Sequence, residues 1–456
     1  MKRRKFIKQA GIAASAIISV PTIIPAACIG KSGRTAPSDK INLAFIGAGN
    51  QATNDVMDFL ADDRIMVTLI CDVNKKSDGY WDGRVAGREY IRDVVNGYYS
   101  KKFERHYNAC SDLVDFREVI TRKDIDAVEI ATPDHWHAIP VLMAASAKKD
   151  IYCQKPLSLT IAEGRAMSDT VKHHNVVFQT GSQQRSNPNF RRICELVRNG
   201  RIGQLETVIC GLPSGTPDFG KKAHLTAVEP VPEGFNYDLW LGPAPFAEYA
   251  PCRTHVNFRW ILDYSGGQLT DWGGHHPDIA QWGMDTELTG PVKIQNARAK
   301  WADHPHYNTA TDFYFECIYE NGLKMIVQSG ADFGVTFIGS EGKVWSDRGK
   351  HTVEPKNLTD TVIGPHEIQL YRSDNHFRNF IDCVISRRET IAPVEVAHRS
   401  ITIAHLGNIA MKLGKDLEWD PKTERILNVP EANEMLSRPM REPWNSVYNN
   451  FLTNKL

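Results

Sequence analysis

The sequence predicts two domains of different class: an α/β domain with a doubly wound parallel sheet, then an α+β domain with a mostly antiparallel open sheet. Three observations support this division. Apolar runs of strand length alternate with helical segments between residues 41 and 180. A glycine-rich turn follows the first of these runs. Beyond Ile202, strand-like runs follow one another without that alternation.

The chain length fits this architecture, because 456 residues exceed one ordinary domain and suffice for two cores of good size. We place the first domain at residues 38–182 and the second at residues 183–415. Residues 1–37 precede the fold, and residues 416–456 form a C-terminal extension that packs on the body.

Composition narrows the classes of function. The chain has 54 basic and 54 acidic residues, which argues against a broad nucleic-acid-binding or membrane-surface role. Its nine cysteines form no C-x-x-C pair and no cluster with zinc-ligand spacing. We therefore expect neither a disulfide scaffold nor a structural metal.

The first residues have the layout of a secretory signal, with a basic head at residues 2–5 and an uncharged, mostly apolar run from Ala10 to Ile29. The pair Arg3-Arg4, followed by Phe6 and Lys8, resembles the twin-arginine export signal. That resemblance implies a protein that folds before the bacterial export machinery carries it to the periplasm or cell envelope.

Two alternatives for this segment stay open. The apolar run is barely long enough to be a membrane anchor, and Pro21 and Pro25 interrupt it. Cys28 is a candidate for lipidation, although Pro25 fits the recognition sequence for lipidation poorly. In each case residues 1–37 are excluded from the fold.

The glycine-rich turn carries the first functional signal. The buried strand Ile41–Ile46 leads into Gly47-Ala48-Gly49-Asn50-Gln51-Ala52, which matches the dinucleotide-binding pattern G-x-G-x-x-[G/A]. Gly47 permits the tight turn, Gly49 lets the backbone approach a pyrophosphate, and Ala52 lets the helix pack closely. The following helix, which extends to about Leu60, points its positive end at the phosphates. This half is therefore predicted to be a Rossmann domain.

Asp72 ends the second predicted strand, Ile65–Cys71, about twenty residues past the turn. A carboxylate there accepts hydrogen bonds from both ribose hydroxyls and repels a 2′-phosphate, so we expect NAD rather than NADP. The predicted cofactor contacts in this region are Gly47, Gly49, Asn50, Gln51 and Asp72.

The alternation continues to the end of the first domain. The strands are predicted at 126–131, 150–154 and 176–180, and the helices between them at 136–147 and 161–174. A polar, aromatic insert at residues 74–103 is predicted to be helical and partly a lid or a contact surface. The sequence assigns it no role.

Two loops follow strands of the parallel sheet, where ligands gather in such folds. One is Thr132-Pro133 followed by His137, and the other is Gln154-Lys155-Pro156. Pro156 fixes the chain after Lys155, so its ammonium group has a defined direction and is suited to bind a substrate hydroxyl. We add Thr132, Pro133, His137, Gln154 and Lys155 to the predicted cofactor contacts. A solvated lysine, and a histidine used for packing, are the alternatives.

The glycine turn and these two loops together resemble the Gfo/Idh/MocA family of oxidoreductases, which includes glucose–fructose oxidoreductase and inositol dehydrogenase. The usual family tripeptide is Glu-Lys-Pro, and Gln154 departs from it. The resemblance covers residues 41 to about 415 and implies a sugar-like substrate contacted by Lys155.

The second half contains a segment with catalytic spacing, SGGQLTDWGGHHPDIAQWGM. Asp271 and His275 lie four residues apart, so on one helix they share a face, and the carboxylate can orient the imidazole as a base. This segment resembles the family segment whose Asp and His contact the substrate together with the lysine of the tripeptide. We therefore predict Lys155, Asp271 and His275 as catalytic residues. The alternative is that Asp271 caps a helix and His275 packs in the interior.

Further polar and aromatic residues are candidates for the substrate pocket. They lie in the segments TGSQQRSNPNF and RTHVNFRW and around the glycine pair. The candidates are Gln184, Arg185, Arg253, His255, Trp272 and His276. Adjacent histidines on a helix point apart, so we predict no metal site at His275 and His276.

These residues predict an exported oxidoreductase that acts on a secondary hydroxyl of a sugar or glycoside. His275 removes the hydroxyl proton, Lys155 steadies the oxygen and hydride passes to NAD. Export implies a tightly bound cofactor that is recycled internally. One alternative is a glycosidase that oxidises C3 and then eliminates; another is a non-catalytic carbohydrate-binding protein. By resemblance alone, we expect a homo-oligomer formed through the sheet of the second domain.

Overall fold

The structure is a computed structural model that describes residues 40–330 and 332–453. The predicted export signal and Cys28 lie outside the described residues. Among those that are described, no helix combines the length and the apolar character needed to cross a membrane.

The first domain contains a six-stranded sheet with the order β3-β2-β1-β4-β5-β6, and every strand pair in it is parallel. Chain order reverses between β1 and β4, which creates the crevice where Rossmann domains bind their ligands. The strands are β1 Ile41–Ile46, β2 Ile65–Cys71, β3 Ser111–Leu113, β4 Ala127–Ile130, β5 Asp150–Cys153 and β6 Phe178–Thr180. The helices are α1 Asn50–Leu60, α2 Arg88–Phe103, α3 Phe116–Thr121, α4 Ala138–Ser146 and α5 Ile161–His174. The predicted Rossmann domain is confirmed.

The second domain contains a nine-stranded sheet with the order β13-β12-β11-β7-β10-β9-β8-β14-β15, in which only the β7–β10 pair is parallel. The mostly antiparallel sheet is thus confirmed. Its strands are β7 Leu205–Leu212, β8 Lys293–Trp301, β9 Ala310–Ile318, β10 Lys324–Ser329, β11 Gly334–Gly339, β12 Gly342–Ser346, β13 His351–Glu354, β14 Leu417–Asp420 and β15 Arg425–Ile426. The helices are α6 Pro188–Arg198, α7 Tyr237–Leu241, α8 Gly267–Gly273, α9 His276–Met284, α10 His376–Ser386, α11 Val394–Leu413 and α12 Trp444–Thr453.

The C-terminal segment takes part in both domains. Its strands β14 and β15 extend the second sheet at one edge. Trp444, at the start of α12, packs its ring edge-on against Trp136 of the first domain, with ring centroids 4.6 Å apart. The extension therefore adds strands to the sheet, which the sequence did not predict, and also packs on the body.

Helix α10 joins the second half of the chain to the first domain. Phe377 and Phe380 pack against Phe59 of α1, with ring centroids at 5.0 and 6.2 Å. The backbone N–H of Thr180 donates to the Ala392 carbonyl at 2.9 Å. These contacts hold the two halves together beside the carboxyl ends of the parallel strands.

The insert at residues 74–103 contains α2, as predicted, and contacts the second half of the chain. Trp81 stacks on Phe219 with ring centroids 4.0 Å apart. Tyr80 packs against His255 at 4.6 Å. The insert therefore forms part of a contact surface.

Candidate active site

The glycine turn lines a cavity of about 1040 Å³, including its opening to solvent, which we call the turn cavity. Gly47 has φ +98°, and a Cβ atom there would lie 2.6 Å from the carbonyl carbon of Ala131. A Cβ on Gly49 would meet the Tyr80 ring at 3.2 Å. The backbone can therefore approach β4 and the cavity only because glycine occupies these positions.

Asp72 lies at the end of β2, on the wall of the turn cavity. Its carboxylate accepts hydrogen bonds from the backbone N–H groups of Ala48, at 2.5 Å, and Asn74, at 2.7 Å. Burial raises the pKa of Asp72, against the lowering effect of these two hydrogen bonds. Each carboxylate oxygen has lone pairs left over, so the group can still accept two ribose hydroxyls.

Most of the predicted cofactor contacts line the turn cavity. They are Gly47, Gly49, Asn50, Gln51, Asp72, Thr132, Pro133, Gln154 and Lys155. His137 does not line it, because its two ring nitrogens contact the carbonyls of Thr132, at 2.9 Å, and Pro156, at 2.7 Å. His137 therefore ties the two loops together, and its predicted role as a cofactor contact is corrected to a positioning role.

Lys155 bridges the two domains. Its Nζ donates to Asp271 Oδ1 at 2.7 Å and to the Asp271 carbonyl at 3.2 Å. Arg259 Nε lies 3.4 Å from the same Oδ1. Burial opposes ionisation of Asp271, but the charges of Lys155 and Arg259 prevail and lower its pKa to about 2. The ammonium group is thus held by a carboxylate that stays ionised.

The segment predicted as one helix is two helices. Helix α8 ends at Gly273 and α9 begins at His276, and His275 between them has φ −121° and ψ −72°. The hydrogen bonds and ion pairs of the Asp271 carboxylate go to Lys155 and Arg259, with none to His275 in the described part of the chain. The expectation that Asp271 orients the imidazole of His275 is therefore wrong, and Asp271 orients Lys155 instead.

His275 is 2% exposed, and its Nδ1 has no hydrogen-bond partner among the described residues. Burial, and then the nearby positive charges of Lys155 and Arg348, lower its pKa well below the usual value. The imidazole is therefore neutral at pH 7 and able to accept a proton.

Lys155 and His275 line one cavity of about 2100 Å³, including its open part, which we call the inter-domain cleft. The cleft and the turn cavity share four lining residues: Asn50, Gln51, Lys155 and Arg259. The ammonium group from the first domain and the imidazole from the second thus meet in a cleft that adjoins the glycine turn.

Comparison with known families agrees with this geometry. A model described as "Oxidoreductase family, NAD-binding Rossmann fold" (GFO_IDH_MocA) matches residues 41–182. A second, "Oxidoreductase family, C-terminal alpha/beta domain" (GFO_IDH_MocA_C2), matches residues 189–446. The chain belongs to the Gfo/Idh/MocA family.

Individual relatives are more distant. The chain is 27% identical over 293 residues to the uncharacterized oxidoreductase YrbE of Bacillus subtilis, covering 60% of this chain and 73% of that protein. It is 26% identical over 315 residues to the scyllo-inositol 2-dehydrogenase (NAD(+)) of the same organism, covering 67% and 81% respectively. A scyllo-inositol dehydrogenase from Lactobacillus casei, solved with NAD(H) and scyllo-inositol, has the same fold, with a TM-score of 0.55 and 16% identity over 83% of this chain and 99% of that one.

The predicted family, fold class and enzyme class are thus confirmed: this Gfo/Idh/MocA protein is an NAD-binding oxidoreductase. The turn cavity fits a dinucleotide for two reasons. Gly47 has no Cβ, so the turn lies tightly against the Ala131 backbone. The carboxylate of Asp72 follows β2 and accepts a hydrogen bond from the backbone N–H of Ala48. Among the described residues, no group of three or more His, Cys, Asp or Glu side chains is arranged to hold a metal ion.

The remaining substrate candidates divide into three groups. Gln184 and Trp272 line the inter-domain cleft. His255 lines the turn cavity instead, and its Nε2 lies 3.2 Å from Ser77 Oγ.

Arg253 lines neither cavity. His276 also lines neither, because its Nδ1 contacts the Gly211 carbonyl at 2.9 Å and its ring packs against Phe333.

Arg185 is a structural residue of this Gfo/Idh/MocA protein, which corrects its prediction as a substrate contact. It is 2% exposed and forms ion pairs with Asp278, at 2.6 Å, and Glu287, at 2.7 Å. Its charge is already paired and faces the interior, so it has no donor directed at the cleft.

Two cleft residues, Arg259 and Arg348, were not predicted. Arg259 belongs to the segment RTHVNFRW, which is polar and close to the glycine pair in the sequence, so its place at the site was predictable. Arg348 lies in the turn between β12 and β13. Neither strand of that hairpin was predicted, so Arg348 was not placed at the site.

Proposed function

We propose that the protein oxidises a secondary hydroxyl of a sugar or cyclic polyol and passes the hydride to NAD. One observation carries the proposal: Lys155 and His275, from different domains, line the same cleft beside the glycine-turn cavity. Similarity to scyllo-inositol 2-dehydrogenase supports a polyhydroxylated ring as substrate. NAD, when bound, supplies the hydride acceptor.

The two side chains have complementary roles. His275 is neutral because it is buried beside positive charges, so it accepts the proton of the hydroxyl that is oxidised. Lys155 has three N–H donors, of which Asp271 occupies two through Oδ1 and its carbonyl. The third donor is left for the substrate oxygen, where it stabilises the developing carbonyl.

Asp72 favours NAD over NADP in this proposal. Its carboxylate lies on the cavity wall, held by two backbone N–H groups. A second negative charge from a 2′-phosphate would be repelled there, whereas ribose hydroxyls find an acceptor.

We also propose that the protein is exported with its cofactor already bound and retained. The twin-arginine sequence at Arg3-Arg4 supports export of a folded protein. Aromatic residues of the second half, Phe235, Trp240 and Phe258, line the turn cavity and favour slow release of a bound nucleotide.

To test retention of the cofactor, purified protein is denatured and the released NAD(H) is measured. We expect about one equivalent of NAD(H) per protein chain. Protein that is purified without nucleotide contradicts retention.

The catalytic proposal is tested with purified full-length protein and NAD⁺. Inositols, pyranoses and methyl pyranosides are screened by the absorbance of reduced nicotinamide. Lys155→Met and His275→Asn are expected to lower kcat/KM by about 100-fold or more on any substrate found. The matched controls are Lys172→Met and His173→Asn, two exposed residues in the last turn of α5. Full activity of both cleft variants contradicts the proposed roles.

A further inference from the structure

Arg348 presents an unpaired positive charge to the inter-domain cleft. It lies in the turn between β12 and β13, and its guanidinium sits 4.8 Å from the centroid of the Trp272 ring. Within the described part of the chain, its side chain forms no ion pair and donates no hydrogen bond. Cation–π contact with Trp272 holds the guanidinium in place and leaves its N–H edge available to a ligand.

The other cations at this end of the cleft are only partly neutralised. Lys155 and Arg259 share a single carboxylate, that of Asp271, at 2.7 and 3.4 Å. With Arg348, three positive charges therefore face one negative charge. The positive charges of Lys155 and Arg348 also both lower the pKa of His275.

The other charged residues that line the cleft lie on other elements of the fold. They come from α1 and from the insert after β2 and are Asp55, Asp58, Asp82 and Arg84. Asp55 is 1% exposed, and its carboxylate accepts hydrogen bonds from the Gln51 and Gln154 amides. Among the described residues, none of these three carboxylates forms an ion pair with Lys155, Arg259 or Arg348, and the only carboxylate paired with Lys155 and Arg259 is that of Asp271.

Gln184 gives independent evidence of a polar ligand in the same cleft. It is 2% exposed and lines the cleft, yet neither its Oε1 nor its Nε2 has a hydrogen-bond partner among the described residues. A buried amide without partners is unfavourable, and native structures rarely keep one without a function. A ligand with several hydroxyl or carboxyl oxygens supplies the missing partners.

We propose that the substrate is an anionic sugar whose carboxylate is bound by Arg348, with Gln184 contacting its ring oxygens. This rests on the proposed function and narrows its substrate to sugar acids such as hexuronates. In the oxidation, the carbon that bears the reacting hydroxyl transfers hydride to NAD⁺, His275 takes the hydroxyl proton, and a carbonyl group forms. The carboxylate itself is unchanged and serves only for binding. A sugar phosphate offers similar oxyanion chemistry, so the experiment includes one.

The test compares matched substrates that differ in charge. Rates with NAD⁺ are measured for glucuronate, glucose and glucose 6-phosphate, and for galacturonate and galactose. We expect kcat/KM for the better hexuronate to exceed that of its neutral sugar by about 10- to 100-fold, the range for a charge-assisted hydrogen bond. A larger ratio for the phosphate identifies a phosphorylated substrate and overturns the carboxylate assignment. Equal values for acid and neutral sugar overturn the proposal.

Substitution of Arg348 gives the decisive readout. Arg348→Gln is expected to lower the acid-to-neutral ratio about 10- to 100-fold, mainly through KM, and Arg348→Lys to restore part of it. The control is Arg372→Gln, an exposed arginine paired only with a neighbouring aspartate, which should keep the wild-type ratio. An unchanged ratio in Arg348→Gln, with an unchanged melting temperature, overturns the assignment.

A binding measurement separates this inference from the proposed function. Calorimetric titration of glucuronate into protein saturated with NADH is compared with titration of glucose. Binding of glucuronate that is at least tenfold tighter, and is lost in Arg348→Gln, supports the anion site even if no sugar is oxidised. Absence of such a difference overturns the anion site even if neutral sugars are oxidised.

Discussion

The Lys155–Asp271 ion pair should couple the two domains by a measurable free energy. The two side chains are only 14% and 16% exposed and their charged atoms lie 2.7 Å apart. The pKa of Asp271 is about 2 rather than 3.8, and this difference corresponds to about 2.5 kcal/mol in favour of the ionised form. Lys155→Met removes the nearer of its two cationic partners. We expect the variant to lose about 2 kcal/mol of unfolding free energy at pH 7, because Arg259 at 3.4 Å remains.

The assay is a double-mutant cycle by denaturant unfolding of wild type, Lys155→Met, Asp271→Asn and the double variant. The expected coupling free energy is about 2 kcal/mol. An exposed pair, Lys343 and Glu354 at 3.3 Å, is the control and should give less than about 1 kcal/mol. The folded-state pKa of Asp271 is lowered, so its contribution is present above pH 4 and is lost as the pH falls towards 2. Strictly additive losses in the two single variants would show that Lys155 and Asp271 do not stabilise each other.

Four further predictions concern the cofactor, the base and a buried acid. Gly47→Ala should weaken NAD⁺ binding at least tenfold in calorimetry, because its Cβ would lie 2.6 Å from the Ala131 carbonyl carbon. Asp72→Ser should raise the kcat/KM for NADP⁺ relative to that for NAD⁺ by about tenfold or more; an unchanged ratio counts against its role. The pKa of His275 is lowered by burial and by the positive charges of its neighbours, so kcat/KM should show no histidine-type fall as pH decreases through 6.5. Burial raises the pKa of Glu129, so wild-type stability should fall as pH rises above about 4.5, and Glu129→Gln should reduce that fall in unfolding measured from pH 4 to 8.

The sequence predicted the fold well wherever local patterns decide structure. Alternating apolar runs and the glycine turn located the parallel sheet, and the bounds of α5 agree with the helix predicted at 161–174 because apolar periodicity and a helix-start signal coincide there. The short strands β12 to β15 were missed. They are stabilised by pairing with distant strands rather than by a pattern of their own.

The structure brings the predicted residues Lys155, Asp271 and His275 to one cleft, but the contacts between them were predicted only in part. Spacing alone suggested that Asp271 and His275 share a helix, yet Gly273-Gly274 and Pro277 end one helix and begin the next. Because these glycines and this proline are visible in the sequence, the break between the two helices was predictable. The partners of Lys155 and Arg185 were not, because they lie about 90 residues or more away along the chain. Long-range ion pairs of this kind are decided by packing.

Isotope transfer tests the central claim, that an alcohol is oxidised between Lys155 and His275 with hydride passing to the nicotinamide. A sugar acid deuterated at its ring carbons is mixed with protein and NAD⁺, the reaction is quenched within one turnover, and the cofactor is analysed by mass spectrometry. We expect deuterium on the nicotinamide ring in the wild type and about 100-fold less in His275→Asn. Conversion of the sugar with no label on the cofactor would contradict that claim.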